Sequence, residues 1–250
     1  MDGERENVLH VNLDVNPGDV IPTAEPRQKG TANVGLGWAV RQGSRWGCAA
    51  AKWIVALALP FFVLVRGSMY AYQSMGWGTW SSIGLGVLGT MLVFSAYATW
   101  LWRRITGKGR LPRIARRVVI TVVAGYSMYG LLYLSSANTK IPELKDYYTS
   151  LHPLMRIAAS TYLLFDRDAV VTDLGRTAED YLQMGLPINE ASLHFKIQDR
   201  YVHALDLRTI GRSPLRNRLT TAYFRFMGFR SLHHVGTADH LHVSLPLPSS

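Results

Sequence analysis

Residues 237–245 read TADHLHVSL, a run that is apolar enough to form one strand of a sheet. Residues two apart in a strand point to the same face, so His240 and His242 would project together, with Asp239 just before them. Seven of the eight histidines of the chain lie between His152 and His242. Because neutral imidazole is a common zinc ligand, this concentration indicates metal or proton chemistry, although a surface strand with two histidines would show the same run.

A second stretch adds candidate ligands upstream of the histidine run. It contains Ser192-Leu193-His194 and, further on, Ala204-Leu205-Asp206. A catalytic zinc site typically uses three protein ligands and keeps one position open for water. His194, Asp206 and His242 would make such a set.

These motifs resemble, in type and order, those of the zinc peptidases of the lysostaphin, D-Ala-D-Ala carboxypeptidase and hedgehog fold. The family pattern is S-x-H, then A-x-D, then a late H-x-H on a strand, and the resemblance covers residues 150–246. One spacing departs from the pattern, because eleven residues separate His194 from Asp206, more than the family usually has. Either a loop is inserted at residues 195–202, or His203 replaces His194 as the first ligand. On a strand His203 and Asp206 would point to opposite faces, which favours His194.

The resemblance implies roles for four further side chains. In the resembling carboxypeptidases an acidic residue three positions before the last ligand takes the proton of the attacking water, which makes Asp239 the candidate base. His240 would polarise the scissile carbonyl or serve as the base itself. Arg176 resembles the arginine that grips a substrate carboxylate or carbonyl through two parallel hydrogen bonds, and Ser192 resembles the serine that contacts the substrate backbone. The plainer alternatives are a salt bridge for Arg176 and a strand cap for Ser192.

The first half of the chain carries three apolar segments with the character of membrane helices. They are residues 49–65, Trp80–Trp102 and Val118–Ser136. The second has no charge in 23 residues and, at about 1.5 Å per residue, would span roughly 34 Å, which is enough for a bilayer core. Three buried helices of a soluble core are the alternative, and the uncharged stretch 67–102 argues against it.

The distribution of charge predicts the orientation of these helices. The loop 103–117 holds seven arginine and lysine side chains and no acid, whereas the loop 67–79 holds no charge. By the positive-inside rule, the N-terminus and the basic loop are cytoplasmic and everything after Ser136 is outside. Residues 1–45 are polar and lack periodicity, which predicts a disordered cytoplasmic tail. Basic loops can bind nucleic acid. The positive charge of a loop between two membrane spans is better explained by the orientation of the helices and by contact with anionic lipid, so we expect no nucleic-acid partner.

The expected fold is therefore an α-helical transmembrane region of about three helices followed by a small α+β domain with an antiparallel sheet that carries the zinc site. Residues 46–136 form the membrane anchor, residues 137–150 a short tether and residues 151–250 the domain. The predicted helices of the domain are 151–164, 177–184 and 214–226, and its predicted strands are 169–174, 192–196, 202–208 and a final pair from residue 228 onward.

Two finer expectations concern the end of the chain. The helix at 214–226 is basic and amphipathic, and its apolar face is predicted to contain Leu219, Ala222, Tyr223 and Phe226. Its arginines are expected to solvate the helix. His233 and His234 are expected in a turn before the final strand.

One interpretation joins these observations: a membrane-anchored zinc metallopeptidase on the outer face of a bacterial-type cytoplasmic membrane. The resemblance implies a cell-wall peptide as substrate, cut by zinc-activated water as an endopeptidase or as a D,D- or L,D-carboxypeptidase. The expected partners are the lipid bilayer and peptidoglycan, and the expected cofactor is zinc. The single cysteine, Cys48, excludes a zinc site built from cysteines.

Two other classes of function are consistent with parts of the sequence. A non-enzymatic binding module of the same fold would keep the metal site and lack catalysis, as the hedgehog branch does. A transporter is disfavoured, because the three apolar segments contain no acid or histidine that would form a polar pathway.

Overall fold

The structure, a computed structural model, describes residues 32–196, 199–236 and 239–247. Of the predicted tail, residues 1–31 lie outside the described part, and residues 32–45 belong to the first helix. The helices are α1 (Ala32–Ser74), α2 (Thr79–Thr106), α3 (Arg113–Leu132), α4 (Leu144–Tyr148), α5 (Pro153–Phe165), α6 (Ala178–Gln183) and α7 (Pro214–Met227). The strands are β1 (Val171–Asp173), β2 (Ala204–Arg208), β3 (Arg230–His234) and β4 (His240–Ser244). The chain is mostly helical with a small antiparallel sheet, as predicted.

Two of the described helices are long and apolar enough to cross a membrane, by length and composition. They are Trp46–Ser74, the greater part of α1, and Thr79–Thr106, which is α2. The third apolar segment forms α3, which ends at Leu132 instead of continuing to Ser136. Its uncharged part, residues 118–132, would span about 22 Å, which is short of a bilayer core of about 30 Å. A third span therefore stays a prediction.

Helices α1 and α2 pack backbone to backbone at Gly86. A methyl group at this position would lie 2.1 Å from Ser68 Oγ and 2.4 Å from the carbonyl oxygen of Leu64. One turn further along, the Thr90 hydroxyl lies 2.8 Å from the Gly86 carbonyl oxygen and 3.2 Å from that of Pro60. Small residues and hydroxyl groups at a helix interface allow this close approach.

The apolar helices share a hydrophobic core with the C-terminal elements. Buried side chains of α1, α3, α5, α7 and the sheet form one cluster, and the described residues from Ala51 onward form one compact unit. The segment 137–150, expected to be a tether, contributes to this unit through Tyr148, whose hydroxyl donates to the carbonyl oxygen of Gly130 at 2.7 Å. The C-terminal elements are thus packed on the apolar helices.

The sheet has the strand order β1-β2-β4-β3 with antiparallel neighbours. Asp206 in β2 lies opposite His242 in β4, and His240 lies opposite His234 in β3. Because side chains alternate along a strand, these four residues project from one face, while Leu241 is buried on the other. The register therefore brings the predicted ligands of β2 and β4 side by side.

Two of the predicted local structures are wrong. Residues 192–196 form turns instead of a strand, because the backbone N–H of Phe195 donates to the carbonyl oxygen of Ser192 at 2.9 Å, an i to i+3 contact. His233 and His234 lie in strand β3 and not in a turn, because both pair with β4.

Candidate metal centre

Among the residues that the structure describes, two groups of histidine and aspartate side chains could hold a metal ion. In each group, one nitrogen or oxygen atom of every side chain lies within 4.8 Å of the others. The first group contains the three ligands that the sequence predicts. The groups are His194, Asp206 and His242, and His152, Asp199 and His203.

Three atoms of the first group converge on one point. His194 Nε2 lies 3.3 Å from His242 Nδ1 and 3.4 Å from Asp206 Oδ1, and His242 Nδ1 lies 2.9 Å from Asp206 Oδ1. Zinc bonds of about 2.0–2.2 Å in a tetrahedron separate neighbouring ligand atoms by about 3.3–3.6 Å. Two of the three separations match that edge length, and the third is shorter.

Hydrogen bonds alone do not account for this triangle of atoms. The ionised carboxylate of Asp206 offers no proton, so its two contacts need protons on His194 Nε2 and on His242 Nδ1. Two N–H groups would then face each other across the contact between the two histidines. A cation at the centre satisfies all three lone pairs at once, so the donor set fits a metal.

The charge state of Asp206 supports this role. Burial alone would raise the pKa of its carboxyl, but hydrogen bonds from His194 and His242, together with the electrostatic interaction with the nearby imidazoles of His194 and His240, outweigh burial and hold the pKa well below its ordinary value. Asp206 is therefore ionised at neutral pH, as a metal ligand must be.

A loop brings His194 to the two ligands on the sheet. Asp206 and His242 are direct neighbours in the β2–β4 ladder, whereas His194 lies in the turns that precede β2. Its carbonyl oxygen accepts a hydrogen bond from the backbone N–H of Arg176 at 2.8 Å. The long spacing between His194 and Asp206 is taken up by residues 195–202, of which residues 197–198 lie outside the described part.

A carboxylate that the motifs do not reveal lies behind His194. Asp173, the last residue of β1, has Oδ1 3.9 Å from His194 Nδ1, a buried nitrogen that makes no hydrogen bond to the described residues. Asp173 Oδ2 accepts a hydrogen bond from Arg176 Nε at 2.7 Å. Burial would lower the pKa of Arg176, but the charge and hydrogen bond of Asp173 raise it. Histidines that bind metals usually donate their second N–H to such a carboxylate.

Two further imidazoles border the first group. His240 Nε2 lies 3.5 Å from Asp206 Oδ2, the oxygen that does not face the ligand triangle. The rings of His240 and His234 stack with centroids 4.9 Å apart, and His234 also meets the ring of His242 at 6.0 Å. The sequence predicts His234 in a turn, and only the β3–β4 register reveals its place beside His240.

The candidate base and the candidate substrate serine make local contacts. Asp239 Oδ1 accepts hydrogen bonds from the Thr209 hydroxyl and from His233 Nε2, the latter at 2.6 Å, and these bonds lower the pKa of Asp239. Ser192 Oγ lies 3.3 Å from the backbone nitrogen of His194 and accepts its N–H. Both side chains therefore stabilise the loops that flank the ligands.

The alternative first ligand, His203, belongs to the second group. Its Nε2 lies 2.9 Å from Asp199 Oδ2. In the same group, His152 Nε2 lies 3.0 Å from Thr79 Oγ1, while His152 Nδ1 accepts the backbone N–H of Leu154 at 3.3 Å. A neutral imidazole that accepts at Nδ1 carries its proton on Nε2, and burial lowers the pKa of His152 to about 3, which keeps it neutral. This geometry favours a hydrogen-bonded role for His152, whereas neither ring nitrogen of His203 makes a hydrogen bond within the described part of the chain.

No family model, no curated protein and no solved structure matches the chain. The candidate metal centre therefore rests on its own chemistry. Two imidazoles and one ionised carboxylate converge from three separate segments, and a carboxylate stands behind one of the imidazoles.

Proposed function

We propose that the chain is a membrane-anchored zinc-dependent peptidase. The observation that carries the proposal is the convergence of His194 Nε2, Asp206 Oδ1 and His242 Nδ1 at separations close to the edges of a zinc tetrahedron. Two imidazoles and one carboxylate leave a fourth position, which is typical of catalytic zinc and not of structural zinc. Zinc bound there would supply Lewis-acid activation of a carbonyl group and of water.

The exposure of the side chains supports access by a substrate from one side. The side chains of His194 and Asp206 are each 6% exposed, whereas those of His242 and His240 are 21% and 27% exposed. A peptide would therefore approach over the two histidines of β4. Burial of the other two ligands would hold their geometry fixed while substrate binds and leaves.

His240 is the better candidate for the base in this proposal. Its Nε2 lies 3.5 Å from Asp206 Oδ2, at the open edge of the ligand group. Asp239 is engaged by Thr209 and His233. For a general base, geometry ranks before pKa, so His240 would accept the proton of the attacking water and pass it to the leaving amine.

Arg176 would bind the charged end of the substrate. It lines a cavity of about 550 Å³ together with Lys196, Glu143 and Asp146. The hydrogen bond to Asp173 fixes the guanidinium plane, and a fixed guanidinium suits recognition of a carboxylate. A cavity with cations and acids suits a peptide that carries both a carboxylate and an amine, as cell-wall peptides do.

The apolar helices and the basic loop support the proposed location. The two candidate spans support a membrane anchor, and we propose α3 as a third span. The arginines and lysine of the loop 103–117 favour a cytoplasmic loop, which would leave the metal centre outside the cytoplasmic membrane. A peptidoglycan substrate agrees with that side of the membrane and with the family that the three motifs resemble.

Zinc content tests the proposal directly. The full chain, purified in detergent, is expected to contain about one zinc per chain by elemental analysis and to lose it in His242→Ala. His233→Ala is the matched control, because this histidine lies on the same sheet but pairs with Leu241 and so projects from the face opposite to His242. Soluble cell-wall peptides should be cleaved by the zinc-loaded chain and by the control, and not after chelation. A folded chain that contains no zinc would exclude the proposed zinc-dependent peptidase.

A second candidate function is a metal-containing binding module of the same fold. It is favoured by the contacts of Asp239, because a carboxylate engaged by Thr209 and His233 is not positioned as a base. The two functions differ in one result. A binding module would retain zinc and bind cell-wall peptides without cleaving them, and His240→Ala would leave that binding unchanged.

A further inference from the structure

Helix α7 has an apolar face that the other described elements leave largely exposed. Its buried residues lie on another side of the helix, whereas Leu215 and Phe226 are each 66% exposed and Leu219 is 59% exposed. These positions recur every three or four residues once Ala222 is included, so they share one side of the helix. We call this face the α7 stripe: Leu215, Leu219, Ala222 and Phe226.

The α7 stripe continues into α5 and α1. The ring of Phe226 packs on Phe62 of α1 with centroids 5.1 Å apart, and Phe165 at the end of α5 packs on Phe61 at 5.7 Å. A groove of about 990 Å³ lies between the three helices, lined by apolar side chains that include Ile54, Val55, Leu164 and Leu219. An exposed apolar surface that continues from one helix to the next is suited to contact with a partner or with lipid. Because α1 contains a candidate span, the surface is continuous with one that would meet lipid.

Arginines border the α7 stripe. Helix α7 contains Arg216, Arg218 and Arg225 and no acidic residue. The Arg216 guanidinium reaches the carboxylate of Asp168 at 2.7 Å on the rim of the groove. A helix with an apolar stripe and basic flanks is suited to the plane of the membrane interface, where arginine side chains reach anionic headgroups.

We propose that the α7 stripe and the end of α5 lie in the interface of the bilayer, in contact with anionic phospholipid. The C-terminal elements would then lie on the membrane surface. This inference rests on the membrane location in the proposed function. Helix α7 and Leu241 line one cavity, so α7 covers the face of the sheet opposite to Asp206 and His242. The metal centre would therefore open away from the lipid.

Site-directed fluorescence on the full chain tests whether the α7 stripe lies in the bilayer interface. Cys48 is replaced by serine, and a single cysteine carries an environment-sensitive fluorophore. Leu215→Cys and Leu219→Cys report on the α7 stripe. Leu92→Cys reports on α2, where the residue is 72% exposed, and Val235→Cys, at a residue that is 81% exposed beside β3, is the aqueous control. Each variant is reconstituted into vesicles of phosphatidylcholine and phosphatidylglycerol, and quenching by a nitroxide-labelled lipid is compared with quenching by iodide.

The two stripe reporters are expected to be quenched several-fold more by the nitroxide lipid than the Val235 reporter, and to be protected from iodide. If iodide quenches the stripe reporters as strongly as the Val235 reporter while lipid still quenches the Leu92 reporter, the interfacial position of α7 is contradicted. The proposal that α2 spans the membrane would not be affected. Iodide quenching at Leu92 as well would overturn the membrane location itself.

The lipid composition tests the role of the arginines. In vesicles of phosphatidylcholine alone, nitroxide quenching at Leu215 and Leu219 is expected to fall, while quenching at Leu92 stays the same. Equal quenching of the stripe reporters in both kinds of vesicle would overturn the part of the inference that concerns anionic headgroups.

Discussion

Asp173 Oδ1 lies 3.9 Å from Nδ1 of His194, on the side of the ring opposite to the ligand atoms. The same carboxylate accepts a hydrogen bond from Arg176 Nε through its other oxygen. The residue that would bind substrate and the residue that would bind metal therefore share one carboxylate. A ligating Nε2 leaves the proton of His194 on Nδ1, where Asp173 would fix its direction.

Asp173→Asn is expected to weaken zinc binding by about 10–100-fold, the usual loss when the carboxylate behind a ligating histidine is removed. Competition with a chromophoric chelator measures the affinity. Asp199→Asn is the matched control, because Asp199 lies in the second histidine group, and it should leave the affinity unchanged. Unchanged affinity in Asp173→Asn, or a loss in the control, would contradict this assignment of the two groups.

The two candidate bases are expected to respond differently to substitution. His240→Ala should lower kcat by about 10²–10⁴-fold, the contribution of a general base, while zinc content stays near one per chain. Asp239→Asn should have a smaller effect, because its carboxylate is held by Thr209 and His233. Steady-state kinetics on a cell-wall peptide, with zinc measured in each variant, checks both. A larger loss of kcat in Asp239→Asn than in His240→Ala would indicate that Asp239 is the general base.

A largely buried ion pair between the end of α5 and the loop before α7 is expected to make stability depend on pH. Arg212 and Asp166 form this pair, and Tyr162 donates to the same carboxylate at 2.7 Å. Burial would raise the pKa of Asp166, but the hydrogen bonds from Tyr162 and Arg212 and the charge of Arg212 outweigh it and lower the pKa. Because the folded pKa is depressed, the stabilisation is present above the unfolded pKa of about 3.9 and is lost as pH falls through the folded pKa.

Asp166→Asn tests this pair. The free energy of unfolding should fall by about 2 kcal/mol at pH 7, the scale of a hydrogen bond to a charged group, and the difference from the unmodified chain should shrink below about pH 4. Thermal unfolding at a series of pH values measures it. The control is Asp168→Asn, an exposed pair with Arg216, which should change stability little. A difference that does not depend on pH would exclude the titration of Asp166 as its cause.

Much of the ladder that carries the candidate ligands could be predicted from the sequence. The H-x-H run forms β4, and the Ala-x-Asp motif forms β2. Asp173 could not be predicted, because its position depends on the irregular β1–β2 register, in which Asp173 pairs with Asp206. A local motif contains no information about a register between distant strands.

Hydrophobic periodicity identified α7 but not the side that it buries. Leu219 and Phe226 are exposed, whereas Tyr223 of the same predicted face turns inward, and its hydroxyl donates to the carbonyl oxygen of Ala158 at 2.9 Å. A helix with apolar residues on two sides gives the same periodicity whichever side meets protein. The same limit applies to α1, because an apolar sequence does not distinguish a neighbouring helix from lipid.

The contact between α1 and α2 gives a paired test of helix packing. Gly86→Ala would put a methyl group 2.4 Å from the carbonyl oxygen of Leu64, a backbone atom that does not rotate away. The helices must then move apart, and we expect a loss of about 1–3 kcal/mol, the usual cost of overpacking. The methyl group of Gly84→Ala would meet no described atom within 4 Å. This variant should stabilise α2 by up to about 1 kcal/mol, because alanine favours a helix more than glycine does. Thermal unfolding of the two variants in the same detergent should therefore shift in opposite directions, and equal shifts would mean that α1 and α2 do not touch at Gly86.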